Sequence, residues 1–425
     1  MATLTIRRGR ILGLGTKSHP VAATQPSGLT FLALLLVLPL FGQSFHYVVD
    51  LPPTYYLSKA WPVLTLPLAL YALVTMRLPW AWLYGALIAY VLGLTPLLSM
   101  IYLGNGLLDA LVTTAKSLPF LYYFAGAGML ALLRPSQDQI RRAIVVLGIG
   151  TFMLMGFLWL VVPTTAYRID AADSKLFLYE TERGYRIFMP MFFGILTMLY
   201  LARRLIMRRD LLAGLGVLIG FALLILIFKQ RTVILSVAIT IAWIMFRCSR
   251  GWVRALLLAV GATAAIALGI LVFGPFLARL EAALGASLSI RQMSIQLAID
   301  YIQGHPLVLM FGAGSITRLS QNTLSMLLGN AHFYLADIGW LGIIFEYGVV
   351  GAALILAAYL ATLRQAAITP PRDEPFVRAF GDYVIYMLLT SAVQSVVFTP
   401  GEVSLVMALL MYWPLAARNE TRAPP

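Results

Sequence analysis

Apolar runs long enough to cross a bilayer recur from residue 29 almost to the end of the chain, separated by short polar breaks. A spanning helix needs about 20 predominantly apolar residues. The breaks predict twelve such helices, at 29–47, 60–76, 80–101, 114–133, 142–162, 187–202, 211–228, 232–246, 253–275, 338–361, 380–398 and 403–417. Barrel strands would instead read as roughly ten-residue segments of alternating polarity. The pattern predicts an all-α polytopic membrane bundle of about twelve transmembrane helices. Its parts are a tail over 1–28, nine spans within 29–275, a long hydrophilic loop over 276–337, three spans within 338–417 and a tail over 418–425.

Composition agrees. Of 425 residues, 60% are hydrophobic and 11% charged, against about 45–50% and about 25% in soluble domains. The chain has one cysteine, Cys248, which excludes an internal disulfide, a CxxC pair and a cysteine-rich metal site. Its four histidines, His19, His46, His305 and His332, have no metal-binding spacing.

The net charge of +14 is mostly topological. Short loops rich in Lys and Arg stay in the cytoplasm. With the N-terminus inside, 20 of the 31 Lys and Arg residues fall on the cytoplasmic side and 11 on the other. Both termini are therefore expected in the cytoplasm. Cations dispersed over short loops beside an anionic leaflet fit membrane lipids as partners and no nucleic acid. The basic segment 1–28 precedes a long apolar run with no small-residue cleavage site, so it reads as a tail and not a signal peptide.

The 11 cations on the outer side run against the insertion bias. Lys59, Lys116, Arg168 and Arg279 read as helix-end side chains that snorkel to headgroups. Arg231 differs. It follows Lys229 at the start of a span, within FKQRTVILS, and an ionisable residue so placed marks a functional site by default. The segment TERGYR carries Glu182, Arg183 and Arg186 at the mouth of the sixth span. It reads either as a clamp over a substrate or as a solvated helix start with Glu182 and Arg186 paired at i,i+4. In the outer loop, Ile290, Met293, Leu297 and Ile302 have helical spacing, His305-Pro306 stops that helix, and FGAGS is a glycine-rich turn before a second helical stretch at about 318–336.

These residues resemble a family. Arg291, then Ala298 and Ile302, then His305-Pro306-Leu307 and Gly312-Ala313-Gly314 resemble the motif of the O-antigen ligase and polymerase superfamily. Downstream, His332 followed by Glu346-Tyr347-Gly348-Val349-Val350-Gly351 is similar to that family's His-Asn and Glu-x-Gly-x-x-Gly segment, with Phe333 where the family often has Asn. Arg231-Thr232-Val233-Ile234 matches its other arginine. The likeness covers about 190–361, and the N-terminal half matches by topology only.

The resemblance implies a glycosyltransferase of the bacterial inner membrane. It would move a glycan from undecaprenyl diphosphate to an acceptor on the periplasmic face, with inversion and without metal or other cofactor. Arg231 and Arg291 would clamp the diphosphate, since a guanidinium binds phosphate oxygens bidentately and stays charged when desolvated. His332 would be the general base, histidine having a pKa near 7 unperturbed. Asp337 and Glu346 remain alternatives for that role, although Glu346 lies deep enough in the bundle to need a partner. Arg183, Arg186, Lys229, Arg318, Asp337 and Glu346 are candidate substrate-binding residues, and His305 reads as structural.

The Asp337-Ile338-Gly339-Trp340 stretch and the missing His-Asn pair favour a polymerase, whose acceptor is a growing glycan and which can work with a chain-length regulator. The alternative is a ligase, whose acceptor is lipid A core. A flippase or transporter is the other class. Against it, the chain has no repeated half, and its outer charges gather at the rim and not at the midplane where transporters bind.

Overall fold

The computed structural model describes residues 5–6, 27–169, 176–180, 183–249, 251, 254–255, 259, 286–315, 335–371, 373–394 and 399–422. Among them, eight helices are long and apolar enough to cross a membrane: Pro52–Thr75, Ala81–Leu103, Leu107–Leu133, Gln137–Val161, Leu211–Phe228, Arg231–Cys248, Gly339–Ile368 and Pro400–Ala417. The protein is a polytopic helical membrane protein. Each of the eight overlaps one expected span. The expected spans at 29–47, 187–202 and 380–398 are the shorter helices Ser27–Phe41 (α1), Phe192–Arg208 and Pro375–Thr390. Most of 253–275 lies outside the described residues.

Several spans are composite. Pro52–Leu64 (α2) and Leu66–Thr75 (α3) meet at Thr65. A π turn over Tyr90–Leu94 joins Ala81–Ala89 (α4) to Thr95–Leu103 (α5). A 3₁₀ segment over Ala115–Leu121 joins Leu107–Thr114 (α6) to Tyr122–Leu133 (α7). Such local over- and under-winding often marks functional places. The chain continues through Gln137–Val161 (α8), Phe192–Arg208 (α9), Leu211–Leu223 (α10) with its π turn Leu224–Phe228, and Arg231–Cys248 (α11). Then come Ala286–Gly304 (α12), Pro306–Phe311 (α13), Gly339–Ile368 (α14), Pro375–Thr390 (α15) and Pro400–Arg422 (α16).

The helix ends follow from local chemistry. Ser136 opens α8 with a capping box: its hydroxyl accepts from the Gln139 amide, and the Gln139 side chain accepts from the Ser136 amide. Asp210 caps α10 by accepting from the amide of Ala213.

The core lies around α16, in which every residue from Val403 to Trp413 is buried, packed against α7 and α14. With lipid outside, apolar contact alone does not drive helices together, and close approach at small residues does. Gly128 of α7 is one such place, where an added Cβ would stand 2.5 Å from the Leu68 carbonyl. Peripheral helices turn large apolar side chains outward, as Met153, Phe157 and Leu160 do on α8 and Leu212 and Leu218 on α10. In water such a surface would be an association patch. Here it fits contact with lipid tails.

Residues 176–187 depart from the expected helix start. Phe177–Glu180 and Gly184–Ile187 form an antiparallel hairpin with Leu178 opposite Arg186 and Tyr179 opposite Tyr185. Arg186 pairs with Glu180, on the partner strand, while Glu182 lies outside the described residues. Aromatic and β-branched positions favour the pleated surface, and Tyr185 meets Tyr167 edge-on and Tyr179 at a tilt across it.

Candidate active site

The hairpin is fixed to the bundle at three points. Phe188, just after its second strand, stacks on Phe228 of the π turn with ring centroids 5.4 Å apart. The next residue, Lys229, takes a left-handed conformation that ends the turn, and its ammonium donates to the Arg183 carbonyl at 3.0 Å. Asp50 accepts from the Leu176 amide at 3.1 Å. Lys229 also lies over the Trp159 ring at 5.4 Å.

These anchors gather cations. Arg183 and Arg186 both face Glu180, the latter in a close ion pair, so two guanidiniums share one carboxylate. Burial pulls the Arg186 guanidinium below its ordinary value, opposed by Glu180 and reinforced by Arg183. Lys229 adds a third charge, and Arg231, first residue of α11, a fourth. Arg231 is exposed and makes no hydrogen bond or ion pair among the described residues. A cation in the first turn of a helix opposes the helix dipole, so the helix itself gives no reason for it.

Beside this group opens a cavity of about 280 Å³, lined by the Phe188–Phe192 strand-to-helix turn, Gln230, Asp337, Tyr383 and Glu402 among others. Glu402, in the first turn of α16, accepts from the Tyr383 hydroxyl at 2.6 Å. Gln43 uses its side-chain oxygen to accept from the Gly401 amide at 2.7 Å, while its buried Nε2 has no hydrogen-bond partner. Asp337 reaches the same cavity from a 3₁₀ turn just before α14. The arrangement sets two carboxylates and the amides of Gln43, Gln230 and Gln394 inside an aromatic pocket, with a cluster of cations beside it.

Glu346 lies elsewhere. Its carboxylate meets Lys116 of the 3₁₀ segment at 2.5 Å, the two side chains being 6% and 19% exposed, so Lys116 reaches inward to a carboxylate instead of snorkelling. Two residues on, α14 breaks at Gly348, whose φ of 64° and ψ of −179° only glycine adopts readily. The carbonyls freed by the break are satisfied from the glycine-rich turn: Ala313 donates to Phe345 at 2.8 Å and Gly314 to Glu346 at 3.1 Å. The Tyr90 hydroxyl, from the π turn, sits 2.9 Å from the Phe311 carbonyl and 2.8 Å from that of Tyr347. Ser99 donates to the Ser315 carbonyl at 2.8 Å. A Cβ on Gly312 would strike the Glu346 carbonyl, and one on Gly348 the Met310 carbonyl. The Gly312-Ala313-Gly314 and Glu346-x-Gly348 segments, 30-odd residues apart in sequence, are thus two halves of one backbone interlock.

The chain matches no known protein-family profile and no curated relative.

Of the residues singled out from the sequence, the structure brings Arg183, Arg186, Lys229 and Arg231 to one end of the bundle, with Asp337 in the adjoining cavity. Arg291 sits on α12, half-buried, with its Nε buried and unpartnered; no hydrogen bond or ion pair joins it to that group among the described residues. His332 and Arg318 lie outside the described residues. His305 stacks on Tyr301 with centroids 4.7 Å apart and bonds its carbonyl at 3.0 Å. The residues that the sequence did not single out are Glu402, Tyr383 and Gln43. A signal for Glu402 was present: it is a carboxylate opening an otherwise apolar run, GEVSLVM.

Proposed function

We propose that the protein is an integral-membrane glycosyltransferase of the O-antigen polymerase type, transferring a glycan from undecaprenyl diphosphate to an acceptor glycan on the periplasmic face. The observation that carries the reading is the placing of Arg183, Arg186, Lys229 and Arg231 beside a cavity that holds Asp337 and Glu402. Inverting transfer needs two kinds of group at such a place. Negative charge grows on the diphosphate as the bond to the anomeric carbon breaks, and preorganised cations stabilise it there. The acceptor hydroxyl gives up its proton as its oxygen bonds to that carbon, and a carboxylate or histidine takes the proton. Exposed Arg231 is the cation best placed to meet a diphosphate arriving from the lipid side. Asp337 and Glu402 join His332 as proton acceptors for the acceptor hydroxyl. The twelve-span topology with both termini cytoplasmic belongs to the same proposal, since it puts this end of the bundle outside.

The test is transfer in vesicles reconstituted with a lipid-linked repeat unit. Arg231→Ala is expected to abolish polymer while the protein still inserts; normal-length polymer from this variant would refute the role of Arg231 at the diphosphate. Supplying lipid A core as acceptor separates the ligase reading, which predicts one transfer per core and no polymer without it. A transporter reading draws on the break at Gly348 beside the buried Lys116–Glu346 pair, because discontinuous helices often form transport sites. It predicts movement of lipid-linked glycan between leaflets with no new glycosidic bond.

A further inference from the structure

A second cavity, of about 540 Å³, opens at the opposite end of α11 from the hairpin, between α9, α11, α14 and α15. Gln230 and Val233 line the first cavity, whereas Trp243, Arg247 and Cys248 line this one. Three guanidiniums converge in it on one carboxylate. Arg203 binds buried Asp382 through two hydrogen bonds of 2.6 and 2.7 Å, and Arg247 and Arg378 both act on the same carboxylate electrostatically. Arg378 also donates to the Ala366 carbonyl at 3.1 Å, near the end of α14. Three arginines and one aspartate thus line a recess walled by Trp243, Leu363 and Ile385.

The recess is continuous with a surface for acyl chains. Leu235, Ile239 and Trp243 are all exposed at four-residue spacing, so they form one stripe along α11 that ends at the cavity. Arg247 lies over the Trp243 ring at 5.9 Å, where the stripe meets the charges. A purely topological arginine needs water and headgroups around it and no built recess. An anion with an apolar tail satisfies both halves of this one.

We propose that the cavity between α9, α11, α14 and α15 binds the phosphodiester headgroup of an acidic membrane phospholipid, held by Arg247 and Arg378 with Arg203 fixed behind them by Asp382, its acyl chains lying along Leu235, Ile239 and Trp243. The buried Arg203–Asp382 pair sets the floor, and the two other arginines supply the charge that the phosphate meets. Free phosphate shares the headgroup chemistry but leaves the apolar stripe without a role.

The protein carries its own reporter. Cys248, the single cysteine of the chain, lines this cavity, is exposed, and has its sulfur 3.5 Å from Arg203. The full chain is placed in phosphatidylcholine nanodiscs with rising phosphatidylglycerol, and Cys248 is labelled with a neutral maleimide. The labelling rate is expected to fall severalfold and to saturate. At about fivefold in affinity per arginine near an anionic headgroup, Arg247→Gln shifts the half-point to about fivefold more phosphatidylglycerol, and Arg247→Gln with Arg378→Gln to about 25-fold more. Arg142→Gln, at an exposed arginine of α8, leaves it unmoved. Native mass spectrometry of the same proteins counts retained phosphatidylglycerol and reads the same order. Labelling indifferent to phosphatidylglycerol in the unaltered protein, or a double variant protected like the original, overturns the proposal. So does equal protection by inorganic phosphate in pure phosphatidylcholine discs, which would make the ligand a small anion. Because Arg247 is exposed and holds no ion pair among the described residues, its single variant remains a valid test should the double variant not fold.

Discussion

Replacing Lys116 by methionine removes the ammonium that meets Glu346 at 2.5 Å while keeping a flexible side chain of similar reach. The carboxylate left behind is only 6% exposed. Stranding one member of a buried pair costs about 3–5 kcal/mol, and since Lys116 is 19% exposed and water reaches that side, the lower end, about 3 kcal/mol, is expected. Removing both charges behaves differently, because two buried apolar side chains pack where two ions had to be desolvated. The double variant Lys116→Met with Glu346→Met is expected to regain most of that loss, giving a coupling of about 2–3 kcal/mol. Thermal unfolding of the purified protein in mild detergent reads this as a fall of about 5–10 °C for the single variant, largely restored in the double. Transfer assays on the same proteins then separate the roles of Glu346. A restored double variant that polymerises excludes Glu346 as the base, and a stable but inactive one reinstates it. An unchanged midpoint for Lys116→Met, or a double variant as unstable as the sum of its parts, refutes the account of the pair as what holds this region together.

Gly348→Ala forces a left-handed residue and drives a methyl group into the Met310 carbonyl; strain of about 1–3 kcal/mol adds to a similar overpacking cost, so loss of folded protein in fluorescence-detected size exclusion is expected. Glu402→Gln keeps an acceptor for Tyr383, so its midpoint should stay put while transfer falls about 10²–10⁴-fold if the carboxylate takes the proton; a normal rate removes it from the mechanism. Arg203→Leu removes both hydrogen bonds to the buried Asp382 carboxylate and should destabilise by about 3 kcal/mol, with Arg203→Leu and Asp382→Leu together recovering much of it in the same unfolding assay. Asp210 has its carboxyl held below the ordinary 3.8, first by the Ala213 amide and then by Arg204. A depressed carboxyl stabilises above its unfolded value and loses that contribution as pH falls through the folded one. Protection factors for hydrogen exchange in the first turn of α10 should therefore fall below about pH 4, and Asp210→Asn should flatten that dependence.

The apolar runs made most of the spans legible, because twenty or so residues without charge have one low-energy arrangement in a bilayer. What they concealed was irregular backbone inside those runs. The π turn at Tyr90–Leu94 and the break at Gly348 leave hydropathy untouched, and their partners are helix-end and helix-break carbonyls and loop amides more than 30 residues away. The hairpin was missed for a related reason: TERGYR reads locally as a charged helix start, while its register depends on pairing with Phe177–Glu180. At the candidate site, Lys229 and Arg231 stood out as cations where the insertion bias disfavours them. Glu402 did not, since its importance comes from Tyr383 and a cavity wall built by other helices. Lys116 and Glu346 were each visible, but 230 residues separate them and no periodicity links the two.

The backbone interlock gives the loop after α13 an unusual mechanical status. Ala313 and Gly314 spend their amides on the carbonyls of a spanning helix, so these two loop positions are stitched into the bundle as a strand is stitched into a sheet. Their amide protons should exchange as slowly as those of α14 and should quicken only when that helix opens. The hairpin is braced differently: the Glu180 ion pairs with Arg183 and Arg186 hold its two strands together, and the Lys229 ammonium and the Asp50 carboxylate tie it to the bundle, charged contacts that salt weakens. Raising ionic strength should therefore loosen the hairpin and leave the interlock in place.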